Sequence, residues 1–292
     1  MPPVQRGIDR IVDGVRHPWV TTDEILEAMK TFEVRTDDIW VITYPKAGTT
    51  WMQEIVSVLF HGCDIQKADE VSIWKRFVFL DQQKKDAHVS PHDEATRKPS
   101  PRLIKTHLPP QHMAKQLTIK RPKIVYVGRN PKDNAVSLYN FYRANTYLRT
   151  YETWNEFFEA FCADDVIYGS WFDMNIYWWN LRNEDNVLFI KYEDMKKDLA
   201  SVIEGVSEFF GWPISDGKLQ DIVKHCTFDS MKKNPKANLS DNKHIDQSIS
   251  AFLRKGEVGD WKNYFTKAQN TKFDKKYAEK MNGSSLTFEF EL

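Results

Sequence analysis

Asp38-Ile-Trp-Val-Ile-Thr-Tyr44 is a continuous run of mostly apolar residues, and Pro45-Lys-Ala-Gly-Thr-Thr-Trp51 follows it directly. Such a run is typical of a strand that is buried on both faces of a parallel sheet. Pro45 ends the run, Gly48 permits a tight turn, and an apolar stretch from Trp51 to Phe60 has the length of a helix. The segment therefore predicts a strand, a turn and a helix that begins near the threonines.

This turn is a candidate anion site. Backbone N–H groups at the N-terminus of a helix point at one spot and carry partial positive charge. Lys46 adds a full charge, while Thr49 and Thr50 add hydroxyl donors. The turn differs from a Walker A loop, in which the lysine follows the second glycine, because Lys46 precedes Gly48. A plain strand–turn–helix connection with an exposed lysine is the alternative.

Three further runs resemble strands, and helical stretches lie between them. The runs are Arg102-Leu-Ile-Lys-Thr-His107, Lys123-Ile-Val-Tyr-Val-Gly128 and Val187-Leu-Phe-Ile-Lys-Tyr192. Helices are predicted from Asn130-Pro131, a favourable cap followed by a favourable first residue, to about Arg143, and over 151–161 and 171–181. The polar segments 90–100 and 234–249 predict a surface loop and a mobile loop. This pattern predicts one α/β domain over residues 1–292, with a mostly parallel central sheet flanked by helices.

Polar residues follow each predicted strand, where ligands bind in sheets of this kind. Lys105 and His107 end the second strand and point to the same side of it. A histidine can accept a proton from a hydroxyl group at neutral pH. Arg129 and Ser137 lie near the start of the third strand's helix and could hold a phosphate. Packing or surface roles, including a surface pair of Arg129 with Asp133, are the alternatives.

The composition excludes several classes of function. Lys plus Arg equals Asp plus Glu, 41 each, so no global field recruits nucleic acid or an anionic membrane. The three cysteines, Cys63, Cys162 and Cys226, lack metal-like spacing, which favours a reducing compartment. The first residues carry no apolar signal region, and no apolar run approaches the ~20 residues that span a bilayer. These observations predict a cytoplasmic globular protein with no membrane or nucleic-acid partner.

Taken together, the motifs resemble those of the cytosolic sulfotransferases over roughly residues 37–292, with 1–36 as an N-terminal extension that packs on the domain. The segments that carry the resemblance are Tyr44-Pro-Lys-Ala-Gly-Thr-Thr-Trp51, Lys105-Thr-His-Leu-Pro109, Lys123-Ile-Val-Tyr-Val-Gly-Arg-Asn130 with Asp133 and Ala135-Val-Ser137, Tyr168-Gly-Ser-Trp171, Tyr192-Glu-Asp-Met195, and Arg254-Lys-Gly256 through Gly259-Asp-Trp261. Each segment alone is modest evidence. Their order and spacing together are highly specific.

The resemblance implies 3′-phosphoadenosine 5′-phosphosulfate (PAPS) as sulfuryl donor, 3′-phosphoadenosine 5′-phosphate (PAP) as product, and no metal. It implies a P-loop-like phosphosulfate-binding loop, His107 as general base, Lys46 and Lys105 beside the transferring group, and Ser137 holding Lys46 away until an acceptor arrives. The nucleotide-binding residues that it implies are Lys46, Ala47, Gly48, Thr49, Thr50, Trp51, Arg129, Ser137, Tyr192, Thr227, Phe228, Met231, Arg254, Lys255 and Gly256. The acceptor-binding residues that it implies are Phe79, Lys105, His107 and Phe141.

Phe79 and Phe141 favour a small hydrophobic acceptor, and phenol, aliphatic alcohol, steroid and arylamine acceptors all stay open. The chain departs from the family pattern at Ala47, where Ser is usual, at Val78, where Pro is usual, and at Met174, where His is common. In the family's dimer motif, Lys267 and Thr271 replace Val and Glu, so the homodimer is expected to be weak.

Two other functions fit parts of the sequence. A nucleotide-binding sensor or partner protein that has lost catalysis would keep Arg129, Ser137 and Tyr192 but lack Lys46 or His107, and both are present. A nucleotide kinase would need a Gly-Lys-Ser/Thr loop and a divalent metal, and that loop is missing. The sequence therefore favours a sulfotransferase.

Overall fold

The computed structural model describes residues 9–83, 89–113 and 115–292, so the predictions about the first eight residues lie outside the described part. Five parallel strands form the central sheet, in the spatial order β4-β5-β3-β6-β7, and two strands form a separate antiparallel hairpin. The strands are β1 (Arg10–Val12), β2 (Val15–His17), β3 (Ile39–Thr43), β4 (Val78–Phe79), β5 (Leu103–Thr106), β6 (Lys123–Gly128) and β7 (Val187–Lys191). The sheet confirms the predicted α/β fold.

Helices cover both faces of this sheet. They are α1 (Asp23–Thr31), α2 (Thr49–Phe60), α3 (Ile65–Ala68), α4 (Ile73–Arg76), α5 (Pro91–Arg97), α6 (Gln116–Lys120), α7 (Pro131–Ala144), α8 (Trp154–Cys162), α9 (Trp171–Asn180), α10 (Tyr192–Lys197), α11 (Leu199–Phe210), α12 (Lys218–His225), α13 (Phe228–Lys233) and α14 (Lys267–Met281), with 3₁₀ turns at Pro110–His112 and Asp260–Asn263. Within the described ranges, no helix is both long and apolar enough to cross a membrane.

The burial of the central strand β3 explains why its sequence predicts a strand. Its five residues are all buried, with Trp40 packed in one core cluster and Val41 in the other. Val41 lies opposite Lys105 of β5 and Val125 of β6. A strand that is covered on both faces has no polar alternation, which is why it appears as a continuous apolar run.

Local capping fixes where the helices begin. The Asn130 side chain accepts from Asp133 N, and Pro131 occupies the first helical position of α7, as predicted. Helix α8 begins at Trp154, three residues after the predicted start. The reason is that Thr153 and Glu156 form a capping box, which ends the extended segment at Thr153.

The prediction of a surface loop over 90–100 was wrong. Residues Pro91–Arg97 form α5, whose N-cap Ser90 accepts from Asp93 N. His92 and Ala95 are buried on one face of this helix. The helix is short, and its buried face carries a histidine and an alanine, so its polar composition concealed its periodicity.

The polar segment 234–249 contains no helix or strand of its own. It nevertheless buries Ala237, Leu239 and Ile245, and the last two pack with Ile73 and Ala144 in a small separate cluster. Asn145 and Ile245 also form an isolated antiparallel bridge. The segment is therefore held against the domain by apolar contacts although its composition is polar.

Candidate functional site

A cavity of about 650 Å³ lies at the carboxyl ends of the central strands. It brings together most of the residues predicted to form the site, which are Lys46, Gly48, Thr49, Thr50, Trp51, Phe79, Lys105, His107, Arg129, Ser137, Phe141, Tyr192, Phe228, Met231, Arg254, Lys255 and Gly256. Two predicted residues do not line it: Ala47 is fully buried, and Thr227 caps helix α13.

The turn between β3 and α2 has an unusual backbone. Lys46 adopts φ 67° and Gly48 adopts φ 119°, so two residues of this short turn are left-handed. Gly48 is the N-cap of α2, and a side chain there would meet the ring of Tyr192 at 3.0 Å. Asn134 of α7 donates to the Pro45 carbonyl at 2.7 Å and so links the turn to α7. The turn thus exposes the N-terminus of α2 to the cavity.

The Lys46 ammonium group lies over aromatic rings. Its Nζ is 3.6 Å from the ring centre of Phe252 and 4.8 Å from that of Phe141, and it donates to the Phe252 carbonyl at 3.4 Å. The predicted role of Ser137, holding Lys46 away until an acceptor arrives, stays a prediction. Burial, with the nearby charges of Arg129, Lys105 and Arg254, lowers the pKa of Lys46 to about 7.

His107 is held in one tautomer. Its Nδ1 lies 2.9 Å from the Thr43 carbonyl oxygen and 3.2 Å from Thr43 Oγ1. Because a carbonyl oxygen only accepts, Nδ1 carries the proton and Nε2 keeps its lone pair. Burial and the charge of Lys105 lower the pKa of His107 to about 3, so the ring is neutral at physiological pH. The Nε2 lone pair is therefore not occupied by a proton at physiological pH.

Lys105 lies beside His107, as predicted. Its Nζ is 4.0 Å from the centre of the Phe79 ring, and His107 contacts the same ring edge-on at 5.3 Å. Burial lowers the pKa of Lys105 to about 8, although the charge of Asp81 opposes the shift. Two lysines with lowered pKa values and one neutral histidine therefore line the same cavity.

The sequence reasoning missed Asp81. This fully buried carboxylate accepts from Thr106 Oγ1 at 2.5 Å and from His107 N at 2.6 Å. Burial raises the pKa of Asp81 to about 7 against these hydrogen bonds. No motif marked it, because it reaches β5 from a connection 25 residues earlier in the chain.

Arg129 is buried, which excludes the alternative of a surface arginine paired with Asp133. Its guanidinium lies 4.2 Å from the centre of the Tyr192 ring and donates to the carbonyls of Lys46 and Glu257. Among the described residues, its Nε has no partner. Asp133 instead accepts from Gly259 N at 2.8 Å and from Trp261 N at 2.9 Å.

Arg254 and Lys255 both pair with the buried carboxylate of Asp260, and Arg254 Nη2 lies 2.6 Å from it. The Arg254 Nε has no partner within the described ranges. Gly256 has φ 68°, and a side chain there would approach the Phe228 ring to 2.3 Å. The segment 254–256 thus packs closely against helix α13.

Trp51 closes the other side of this region. Its Nε1 donates to the Cys226 carbonyl at 2.7 Å, and its ring contacts Tyr192 edge-on at 5.4 Å. Trp51 and Tyr192 are both largely buried, at 8% and 5% exposure. Trp51 of α2 and Tyr192 at the start of α10 form an aromatic wall of the kind that accepts a flat heterocycle.

Aromatic rings line the remaining part of the cavity. Tyr168 lies next to β2, and its ring contacts that of His107 edge-on at 5.6 Å. The ring of Phe141 contacts that of Phe252 at 6.1 Å. Tyr147 stacks on His244 at 4.1 Å above them. Tyr168 was quoted in a motif but given no role, and nothing in the sequence marked Tyr147 or His244, because three separate loops meet there.

A family model described as "Sulfotransferase domain" matches residues 36–285. The chain is a sulfotransferase. It is 43% identical over 266 residues to Sulfotransferase 1C2 of Rattus norvegicus, which covers 90% of this chain and 90% of that protein. It is 42% identical to Sulfotransferase 1C2 of Homo sapiens over the same shares, and 40% identical over 271 residues to Sulfotransferase 1A1 of Canis lupus familiaris, over 92% of each chain.

Solved structures agree with this membership. Mouse sulfotransferase SULT7A1 complexed with PAP matches this sulfotransferase with a TM-score of 0.79 and 34% identity, over 94% of this chain and 95% of that one. Retinol dehydratase, in complex with androsterone and the inactive cofactor PAP, has a TM-score of 0.84 at 23% identity over 94% and 88% of the two chains. At that identity the second likeness shows the fold alone.

The three departures from the family pattern are buried residues of the sulfotransferase. Ala47 is packed in a core cluster, so it offers the cavity no side chain. Val78 is the first residue of the edge strand β4 and lies opposite Ile104 of β5. Met174 lies in the same core cluster as Ala47, on α9.

Proposed function

We propose that this enzyme transfers a sulfuryl group from PAPS to a hydroxyl group (phenol, alcohol or steroid) or an amine of a small hydrophobic acceptor. The observation that supports this most directly is the neutral His107, whose proton-free Nε2 belongs to a cavity that also holds Lys46 and Lys105. The PAP in the structure of the 34% identical mouse relative supports the donor nucleotide. Location in the cytoplasm belongs to the same proposal.

The residues present fit an adenine nucleotide with phosphates at both ends. The buried Nε atoms of Arg129 and Arg254 lack partners among the described residues and can donate to an anion. The Lys46–Trp51 turn would hold the 5′-phosphosulfate, and Arg129, Ser137 and the 254–256 segment would hold the 3′-phosphate. Adenosine would lie between the side chains of Trp51, Tyr192, Thr227, Phe228 and Met231.

The donor supplies an activated sulfuryl group whose transfer needs stabilisation of charge on the leaving phosphate. Lys46 and the backbone N–H groups at the start of α2 would provide that stabilisation. His107 Nε2 would take the proton of the acceptor hydroxyl, and the imidazolium would be stabilised through Nδ1–H by the Thr43 carbonyl. Phe79 and Phe141 would orient a flat acceptor and exclude water. A sulfuryl group carries less negative charge than a phosphoryl group, so these groups suffice without a metal.

The function is tested with sulfur-labelled PAPS and a panel of phenols, steroids, alcohols and amines. We expect label to appear in at least one acceptor and PAP to form in equal amount, with turnover unchanged when divalent metal is chelated. PAP binding without label transfer to any acceptor would support the alternative of a catalytically impaired sensor. Phosphoryl transfer from ATP that a chelator abolishes would contradict the proposal.

Arg129→Ala tests the nucleotide assignment. We expect the Kd for PAP to rise about 100-fold, since a charged hydrogen bond to a phosphate contributes roughly 1.5–3 kcal/mol. The Kd for an analogue without the 3′-phosphate should change less than threefold. Both are measured by titration calorimetry, with the exposed Arg121→Ala as control. Equal losses for both nucleotides would place the 3′-phosphate elsewhere.

A further inference from the structure

A buried polar cluster lies behind the cavity, centred on the carboxylate of Glu54. Both of its oxygens accept from Arg76 Nη1 at 3.0 Å, and His225 Nε2 lies 2.8 Å from Oε1. Arg76 Nη2 also donates to Asp69 at 2.8 Å, and Asn234 Nδ2 donates to the same carboxylate at 2.9 Å. Glu54 is fully buried, and the Arg76 side chain is 3% exposed.

These residues come from elements that build different walls of the cavity. Glu54 lies one turn after Thr50 and Trp51 in α2. His225 ends α12 and is followed by Cys226, whose carbonyl accepts from the Trp51 indole. Arg76 ends α4 and is followed by Phe77, which lines the cavity together with Phe79. The cluster thus joins the wall of Trp51 and Phe228 to the wall of Phe77 and Phe79.

The Glu54, Asp69 and His225 ligand atoms lie within 4.8 Å of one another, as in a metal site. The guanidinium of Arg76 already contacts both carboxylates of this group. A cation placed there would face Arg76 at close range, which disfavours binding. The cluster is therefore better explained as an internal ion network than as a metal centre.

We propose that Glu54 is a positioning residue that fixes the nucleotide wall and the acceptor wall of the cavity relative to each other. A buried carboxylate that is held by Arg76 and by a hydrogen bond to His225 has a fixed place, because displacing either partner leaves a polar group unpaired in a low-dielectric environment. Through His225 it sets the position of Cys226–Phe228, and through Arg76 it sets that of Phe77–Phe79. This role rests on the proposed function, since it concerns binding of donor and acceptor.

The charge of His225 is part of this arrangement. Glu54, Asp69 and Arg76 are the charged groups that face it from α2, from the end of α3 and from α4. Burial lowers the pKa of His225, but the hydrogen bond and charge of Glu54, together with the charge of Asp69, outweigh burial and leave the pKa raised. The contribution of His225 is therefore complete at low pH and is lost as pH rises through its raised pKa.

Glu54→Gln keeps the shape of the side chain and removes its charge. We expect the Kd for PAP and the KM for the acceptor each to rise about tenfold, the size of a typical coupling within one polar network. His225→Gln should raise the Kd for PAP about fivefold and leave the acceptor KM within twofold. Arg76→Lys should raise mainly the acceptor KM. Calorimetry and steady-state kinetics give these values.

Asp38→Asn is the matched control, because Asp38 and Arg102 form another fully buried ion pair, at the opposite end of β3. It should lower the Tm as Glu54→Gln does, while both binding constants stay within twofold. If Glu54→Gln resembles this control, or changes only one of the two constants, the proposal is overturned. If Glu54→Gln does not fold, the other two variants test the proposal. His225→Gln should then weaken mainly PAP binding and Arg76→Lys mainly acceptor binding, and any other pattern overturns the proposal. Failure of wild type to bind PAP would instead refute the proposed function.

Discussion

At the scale of single residues, the site depends on side chains whose protonation is set by burial. His107 is neutral because its ring is enclosed and lies near Lys105, and its tautomer follows from the Thr43 carbonyl. Lys46 is cationic only while its pKa of about 7 exceeds the pH. A histidine that stays neutral and a lysine that loses its charge near pH 7 predict an asymmetric response of activity to pH.

His107→Ala removes the proposed proton acceptor and leaves the residues of the proposed nucleotide region unchanged. We expect kcat to fall by about 10²–10⁴-fold, the usual contribution of a general base, while the Kd for PAP stays within twofold. Rapid-quench turnover and calorimetry give the two values. Equal losses in turnover and nucleotide binding would contradict the role of His107 as base.

Lys46→Arg tests the origin of the pH dependence. In the wild type, kcat/KM for PAPS should fall as pH rises above about 7, because Lys46 loses the charge that attracts the donor. Protonation of His107 should contribute nothing above about pH 5, since the pKa of His107 is near 3. Arginine stays charged, so the variant should lose the decline above pH 7. A decline that persists would assign it to another group, with Lys105 as the first candidate.

At the scale of elements, the segment 254–256 is packed so closely on helix α13 that it accepts no side chain at Gly256. Gly256→Ala would place a methyl group 2.3 Å from the Phe228 ring, at a φ that alanine disfavours. We expect the Kd for PAP to rise at least tenfold, because Arg254 and Lys255 would be displaced with the segment. Calorimetry measures this change.

Gly205→Ala is the control for that substitution. Gly205 lies within α11 with nothing within 4 Å of an added Cβ, so the change should raise stability by up to about 1 kcal/mol and leave PAP binding unchanged. Thermal unfolding and calorimetry test both statements. Nucleotide affinity that is unaffected by Gly256→Ala would show that this segment does not hold the nucleotide.

The sequence predicted those elements whose signals are local. The strand before Pro45 and the start of α7 at Asn130 were readable from burial pattern and capping alone. Helix α5 was missed because its buried face is short and partly polar. Glu54 and Arg76 are 22 residues apart, and Asp81 and Thr106 are 25 apart. Pairs of this kind depend on tertiary packing, which no local pattern encodes.

At the scale of the whole molecule, the family's dimer motif is predicted to lie at the start of α14. Thr266 caps this helix, Lys267 is its first residue, and Thr271 lies one turn later with its hydroxyl bonded to the Lys267 carbonyl. Lys267 and Thr271 are both exposed. A lysine at the position of a contacting valine would have to be desolvated on dimerisation, which disfavours the family's small interface.

Lys267→Val combined with Thr271→Glu restores the family motif. We expect this double variant to shift toward the dimer in sedimentation velocity at micromolar concentration, because the lysine no longer has to lose its hydration. Lys275→Val, an equally exposed change further along α14, should leave the sedimentation coefficient as in wild type. An unchanged distribution for the double variant would show that the segment is not the interface.

The two halves of the cavity are built from different kinds of structural element. The turn after β3, His107 after β5 and Arg129 after β6 sit directly on the sheet, whereas Phe79, Tyr147, His244 and Phe252 belong to short edge elements and connections. Connections tolerate substitution and changes in length better than buried strands do. The half of the cavity that connections build can therefore change in sequence while the half that rests on the sheet stays constant.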